Sequence, residues 1–461
     1  MGKATGFLEY ERVENPGQEP LERIKTYREF HTPLNPEERQ KQGARCMDCG
    51  VPFCQNGKPI MGMVSGCPLN NLCPEWNELV YKGRMEDAAR RLLLTNCFPE
   101  FTSRVCPALC EKACTCGLYG DPVTVKENEY AIIESAYESG FMKPRIPKVR
   151  TGKKVAVIGA GPAGLSVAVR LNAKGYEVTL FDSKPMPGGL LRYGIPNFKL
   201  DKAVIDRRMK ILKAEGILFK MGVHVDVQKL PVGFDAYAIC TGTPTARDLS
   251  IPGRELKGIY FALDMLAQQN HILDGDTFPK DQLVNARGKR VLVIGGGDTG
   301  SDCIGTSIRQ GAVSVTQIEI MPQPPIGHNP DTPWPQWPVV LKTTSSHEEG
   351  CTRRWSLAST QFIGKNGKVC GVEVEEVEWL PATDGNRPIM KSTGKKEVIE
   401  ADMVLLAMGF LKPEQPKFAE NVFVAGDAAH GASLVVRALA DGRRVATEID
   451  RYLEPLKENK K

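Results

Sequence analysis

Two stretches of the chain repeat one pattern, and that repeat constrains the fold more than any other feature. KKVAVIGAGPAGLSVAVRLNAKGYEVTLFD begins at Lys153. KRVLVIGGGDTGSDCIGTSIRQGAVSVTQIE begins at Lys289, about 135 residues later. Each reads as an apolar strand, a glycine turn, a helix and a second strand. In the first, Gly159-Ala160-Gly161-Pro162-Ala163-Gly164 fits G-x-G-x-x-G directly after the strand VAVI. The first glycine permits the tight turn, and the second lets the backbone approach a pyrophosphate. The third lets helix pack on strand, and the helix N-terminus faces the anion. Asp182 ends the next strand, 23 residues past Gly159, placed for a ribose hydroxyl.

Gly295-Gly296-Gly297-Asp298-Thr299-Gly300 repeats the loop after VLVI, and Glu319 ends its second strand, 24 residues past Gly295. An acid there favours NAD over NADP. Arg309, at the end of the intervening helix, is a candidate partner for a 2′-phosphate, so NADH and NADPH both stay open. Two dinucleotide-binding units in one chain admit a flavin in one and a nicotinamide in the other. Hydride exchange between them needs stacked rings more than an acid–base side chain, so no catalytic side chain is assigned.

At 461 residues the chain is too long for one ordinary core. Its net charge of +5 predicts no nucleic-acid groove. MGKATGFLEYERVE has no apolar core of signal-peptide length, and VAVIGAGPAGLSVAV is too short and too broken by Gly and Pro to span a membrane. A cytoplasmic location is the expectation, and in that reducing compartment cysteines bind metal more often than they pair.

Ten of the 14 cysteines precede residue 117, which marks a separate N-terminal module. Cys240, Cys303, Cys351 and Cys370 are scattered and read as small core hydrophobes. Only Cys46 and Cys49 have the x2 spacing of a zinc knuckle. The set continues with Cys54, Cys67-Pro68, Cys106-Pro107, Cys110 and Cys114. Runs of this kind, with Pro after a ligand, suit [4Fe–4S] clusters, and one run can serve two clusters. Zinc and disulfides are the weaker alternatives. Around these cysteines, residues 75–95 carry a helical stripe broken near Gly83, residues 123–140 read as a further helix, and residues 1–40 as an extended or loosely helical lead-in. FMKPRIPKVRTGKK (141–154) is a basic, proline-bearing linker.

Three further stretches resemble the flavoproteins that carry two dinucleotide domains. These are PGGLLRYGIPNFKL (187–200), CTGTPTARDLSIPG (240–253) and VFVAGDAAHGASLVV (422–436). The resemblance implies FAD on the first glycine loop and NAD(P)H on the second. It adds Gly189, Leu190, Arg192, Val225, Thr241, Gly242, Gly426, Asp427, Ser433, Leu434 and Val435 to the FAD contacts, with Asp427 on the ribityl chain. No C-x4-C pair follows Gly188-Gly189, so the chain is not read as a disulfide reductase.

ARCMDCGVPFC, GCPLNN, PEWNELVYKGR, CFPEFTSRVCPALCEKAC, IGGGDTGSDCIGTSIRQGA and PWPQWP resemble the small (β) subunits of glutamate synthase, over nearly the whole chain. The same architecture recurs in the N-terminal half of dihydropyrimidine dehydrogenase. The resemblance implies an α/β chain: a helical double [4Fe–4S] domain over 1–150, an FAD domain over 151–255 and 409–461, and an NAD(P)H domain over 256–408 inserted in it. These last two would be Rossmann-like. Cys46, Cys49, Cys54 and Cys114 would hold one cluster. Cys67, Cys106, Cys110 and Glu129 would hold the other. The implied function is electron input: NADPH or NADH reduces FAD, and the clusters pass electrons to an FMN-containing large subunit that makes glutamate from glutamine and 2-oxoglutarate. Neither nucleic acid nor membrane is an expected partner. The alternatives are a reductase subunit serving ferredoxin or a pyrimidine dehydrogenase, and a non-catalytic zinc-bearing module.

Three departures from the pattern stand out. Twelve residues, QNGKPIMGMVSG, separate Cys54 from Cys67; Cys73, Cys97 and Cys116 are extra cysteines; and the 411–422 connection is short. The six histidines form no catalytic or metal pattern and read as structural. Trp334 and Trp337 read as a packing turn.

Overall fold

The computed structural model describes residues 2–60, 62–380 and 388–458. Helix Pro36–Ala44 opens the N-terminal domain, with the Asn35 side chain accepting from the Glu38 amide and Pro36 at its first position. The helical stripe at 75–95 resolves into Cys73–Tyr81 and Met85–Thr95. Gly83 breaks it, in the left-handed region at φ +69. Pro99–Val105 and Val125–Glu138 complete the domain. Trp76, Phe98, Phe101, Leu92, Ile132 and Ile133 are fully buried between these helices. The lead-in is tied down rather than free. Arg23 donates to Glu349 and to the Ser345 carbonyl, each at 2.7 Å, and the Thr26 and Tyr27 carbonyls accept from Arg309 and Asn197.

No helix or strand lies between Glu138 and Lys154, as the linker composition predicts. A five-stranded parallel sheet follows, in the spatial order Val422–Val424, Ala236–Ile239, Lys154–Ile158, Glu177–Asp182, Leu218–Met221. Its strands read as near-continuous apolar runs because helices cover both faces of a parallel sheet. A second parallel sheet has the order Thr352–Arg354, Ser314–Ile318, Arg290–Ile294, Met403–Leu406, Ile259–Phe261. All of its strands fall in the chain between the fourth and fifth strands of the first sheet. The two crossings pair with each other: Ala246 bridges Phe410, and the Arg247 amide donates to the Gly409 carbonyl at 2.9 Å. The fold is therefore α/β, a helical N-terminal domain followed by two dinucleotide-binding units.

A three-stranded antiparallel sheet, Leu357–Lys365, Lys368–Leu380 and Ile389–Glu400, was not anticipated. Its central strand alternates Val and Glu over 372–375 and buries Val369, Val372, Val374 and Val377, with a register shift between Glu375 and Val377. Among the described residues no helix is long and apolar enough to cross a membrane.

Candidate functional site: two glycine loops and two thiol sets

The first glycine loop has the geometry its sequence requires. Gly159 sits at φ +110, and a Cβ there would lie 2.2 Å from the Cys240 carbonyl oxygen. A Cβ on Gly164 would lie 1.9 Å from the Gly159 oxygen, so helix Pro162–Ala173 packs as closely as glycine allows. At Gly161 the nearest atom to such a Cβ is the Gly189 Cα, 3.9 Å away, which leaves a cradle over the helix N-terminus. The first-turn N–H groups of that helix have no partner within it. Asp182 reaches the loop edge, its Oδ2 accepting from the Ala160 amide at 2.7 Å and its Oδ1 from the Lys184 amide at 2.8 Å. The Gly188 amide donates to the Ala160 carbonyl at 2.9 Å, which seats the 187–190 turn on the loop. From the far side Gly426, at φ +69, donates to Asp441 at 2.7 Å, and Ser433 donates to Asp427 at 2.6 Å. Burial raises the Asp427 carboxyl above its usual range. Thr241 and Gly242 follow the Ala236–Ile239 strand at the same sheet end, and Leu434 and Val435 lead into helix Val435–Glu458. Val225 packs against the core that backs this sheet.

Arg192 departs from expectation. It is 2% exposed, donates to the Pro187 carbonyl at 3.0 Å and pairs with Asp206, and Asp274 lies 3.5 Å away. Its charge is spent inside the fold, where it holds the 187–194 turn.

The second loop repeats the first. Gly295 sits at φ +121 with a would-be Cβ 2.3 Å from the Ala407 oxygen, and a Cβ on Gly300 would lie 2.4 Å from the Gly295 oxygen. Gly297 caps helix Asp298–Gln310, with open space where its side chain would be. Asp298 and Thr299 form the first turn of that helix. Glu319 Oε2 accepts from the Gly296 amide at 2.5 Å, and Oε1 accepts from the Ile320 amide at 2.9 Å. Beside it lies a cavity of about 280 Å³ lined by Gly296, Glu319, Lys342, Arg353, Arg354 and Trp355, among others. Gln317 braces the loop by donating to the Gly295 carbonyl at 2.9 Å, and His347 Nε2 meets Gln317 Oε1 at 3.1 Å.

Arg309 is the second correction. Its side chain is fully buried, held by Glu349 at 2.5 and 2.9 Å and by the Thr26 carbonyl at 3.0 Å, and stacked on Phe198 at 3.7 Å. A guanidinium so committed is not free for a 2′-phosphate. Its partner Glu349 lies forty residues away in a stretch without sequence pattern, which is why spacing did not reveal it.

The thiols gather in two sets. Cys46, Cys49, Cys54 and Cys114 line one recess together with Cys116, Phe53 and Val123. Cys67, Cys106, Cys110 and Glu129 lie within electrostatic reach of one another. The twelve residues after Cys54 do not separate the sets. They form a hairpin, Pro59–Ile60 against Met63–Val64, that returns so the Cys67 amide donates to the Cys54 carbonyl at 2.8 Å. Trp337 docks on this hairpin, its amide donating to the Val64 carbonyl at 3.0 Å, and Trp334 packs on Phe53 at 4.8 Å.

Burial pushes the Cys46 and Cys106 thiols up to about 12 and raises Cys67 well above its ordinary value. Buried thiols of this kind become thiolates when metal supplies the positive charge, and loading releases their protons. Glu129, 5% exposed, accepts from Asn96 at 2.8 Å and Thr102 at 2.5 Å, and burial raises its carboxyl to about 7. Among the described residues no three His, Cys, Asp or Glu side chains converge as one ion would require. Sulfurs spaced around a recess suit a polynuclear cluster, whose irons stand apart.

The extra cysteines differ in their surroundings. Cys73 lies between the sets, within hydrogen-bond reach of Cys54 and Cys110. Cys116 joins the first set and donates to the Arg45 carbonyl at 3.6 Å, and its nearness lowers the Cys114 thiol. Cys97 leaves both sets and donates to Ser166 Oγ at 3.7 Å, on the first glycine helix.

Two family models match. Residues 23–141 match dihydropyrimidine dehydrogenase domain II, 4Fe-4S cluster, and residues 153–332 match pyridine nucleotide-disulphide oxidoreductase. The chain is 43% identical to a glutamate synthase [NADPH] small chain of Bacillus subtilis, over 98% of this chain and 99% of that one. It is 40% identical to a glutamate synthase [NADH] of Saccharomyces cerevisiae, over 98% of this chain and 22% of that one. Among solved structures, Mycobacterium tuberculosis FprA in complex with NADPH has a TM-score of 0.54 at 18% identity, over 67% of this chain and 86% of that one. That likeness is one of fold.

Proposed function

The chain belongs to the glutamate synthase small-chain family, and from that premise we propose that it is the electron-input chain of a glutamate synthase. It oxidises NAD(P)H at FAD and delivers electrons through two [4Fe–4S] clusters to a large chain that makes glutamate from glutamine and 2-oxoglutarate. When bound, the nicotinamide and flavin supply hydride exchange and the clusters supply one-electron relay.

The chain's own residues bind and orient. The loop 159–164 and Asp182 support an FAD pyrophosphate and ribose, and Gly426 and Asp427 support the ribityl side. The loop 295–300 and Glu319 support the nicotinamide dinucleotide. Cys46, Cys49, Cys54 and Cys114 fit one cluster, and Cys67, Cys106, Cys110 and Glu129 fit the other. We assign domain limits of 1–150, 151–255 with 409–461, and 256–408, a reading supported by the second parallel sheet falling in the chain between strands of the first.

One observation carries this reading. The helix that opens the first glycine loop is touched from its other side by the cluster domain. Cys97 meets Ser166, and Arg170 donates to the Leu94 and Thr95 carbonyls at 3.3 and 3.2 Å. Flavin loop and cysteine domain thus share one packed core.

The electron acceptor is a large chain, for which we assign an FMN group, and the location is cytoplasmic, in keeping with 14 free thiols. Reconstitution tests this. The purified chain mixed with a glutamate synthase large chain, glutamine, 2-oxoglutarate and NADPH or NADH should form glutamate. Nicotinamide oxidation by an artificial acceptor, with no glutamate on adding the large chain, would reject the assignment.

A further inference from the structure

We propose that Arg443 sets the reduction potential of the cluster held by Cys67, Cys106, Cys110 and Glu129, by fixing an unneutralised positive charge against the turn that carries Cys67. The inference rests on the cluster assignment above.

Arg443 belongs to the flavin unit, in helix Val435–Glu458. Two residues earlier, Asp441 accepts from the flavin-facing Gly426 amide at 2.7 Å. Gly442 lies against the first glycine helix so closely that a Cβ would sit 2.4 Å from the Ala163 oxygen. The helix is therefore pinned at this point. From there the Arg443 guanidinium crosses into the cluster domain. Nη1 donates to the Leu69 carbonyl at 2.9 Å and the Thr95 carbonyl at 3.3 Å, and Nη2 to Asn70 Oδ1 at 3.3 Å. Leu69 and Asn70 belong to the turn after Cys67, closed by the Asn70 amide on the Cys67 carbonyl at 2.8 Å with Asn70 at φ +54. Burial and the neighbouring Arg170 lower the Arg443 pKa, and the nearby Cys67 and Cys97 thiols oppose that shift.

Two arginines of the cluster-domain interface with buried side chains face carboxylates, whereas Arg45 beside the first thiol set, like the half-buried Arg443, donates to carbonyls. Arg104 pairs with Glu29 and Glu134, each within 2.9 Å, and Arg208 lies 3.5 Å from Glu100. Among the described residues no carboxylate lies within ion-pair reach of Arg443. Its partners are carbonyl and amide oxygens, which orient a charge without cancelling it. Arg170 adds a second cation behind it, sharing the Thr95 carbonyl. A reduced cluster carries one more negative charge than an oxidised one. A fixed, half-buried cation, less screened than one in open solvent, favours the reduced form and raises the potential. Arg443 is thus a positioning residue at the junction between flavin unit and cluster domain.

The test uses the full chain with Arg443→Gln and Arg443→Lys, iron counted, and both clusters followed by electron paramagnetic resonance during anaerobic redox titration. In Arg443→Gln the reduced-to-oxidised ratio of one cluster at a fixed potential should fall about tenfold, a downward shift of about 59 mV for a one-electron couple. The other cluster and the flavin should be unmoved, and Arg443→Lys should stay close to the parent. Selective loss of one cluster's iron in Arg443→Gln but not in Arg443→Lys also supports the proposal, because charge then governs the site. Unchanged midpoints in Arg443→Gln, equal shifts of both clusters, or iron loss in both variants overturn it. Absence of cluster signals in the parent chain would instead overturn the cluster assignment.

Discussion

The Cys67 amide donates to the Cys54 carbonyl at 2.8 Å, across a twelve-residue excursion. The excursion leaves and returns at one point, so two cysteines assigned to different clusters are backbone neighbours. Gly66 makes the return possible. It sits at φ +67, and a Cβ would lie 2.2 Å from the Phe53 oxygen. Gly66→Val should therefore lower iron content while flavin stays bound. Full iron in this variant would show that the closure is not needed for assembly.

Cys49 and Cys116 both line the first recess, and only one is assigned as a ligand. Cys49→Ala should remove about half the iron and leave FAD in place. Cys116→Ala should keep the full count, because the Cys116 thiol is buried and turned to the Arg45 carbonyl. The reverse result from iron and flavin analysis would exchange their roles.

The Arg309–Glu349 pair is fully buried. Arg309→Leu leaves Glu349 paired with Arg23 but removes the buried hydrogen bonds of Arg309 to Glu349 and to the Thr26 and Gly305 carbonyls, and should cost about 2 kcal/mol, read as a lower Tm. The ratio of KM for NADPH to KM for NADH should not change. A selective rise in KM for NADPH would restore Arg309 as a phosphate contact.

His347 accepts from the Thr344 amide at 3.0 Å through Nδ1, and burial lowers its pKa to about 4. The unfolded chain binds a proton near the ordinary value of about 6.5. The neutral ring therefore contributes fully above that pH, and its contribution is lost as pH falls toward 4. The Tm advantage of the parent over His347→Asn should be largest near neutrality and shrink on acidification. An advantage that grows toward pH 5 would contradict the protonation state.

Where backbone geometry dictates residue type, the sequence was legible. Gly159 and Gly295 are glycines because a carbonyl from the neighbouring strand occupies the space of a Cβ, and Asp182 and Glu319 end their strands at the loop edge. The cysteine sets were legible from spacing and resemblance together. Arg192 and Arg309 were not, because position along a helix does not reveal which long-range carboxylate faces it. The hairpin after Cys54 was hidden for a related reason: residue count measures chain length, not the distance between its ends. The Val–Glu alternation of 372–375 was a strand signal that went unused.

The most direct test is an anaerobic preparation in which iron and flavin are counted and NADPH or NADH is then titrated against the visible spectrum. About eight irons and one FAD per chain are predicted, with flavin and cluster absorbance both bleached by one of the nicotinamides. A flavin that bleaches while the cluster absorbance stays unchanged, or a chain with flavin and no iron, would contradict electron transfer through the cysteine domain.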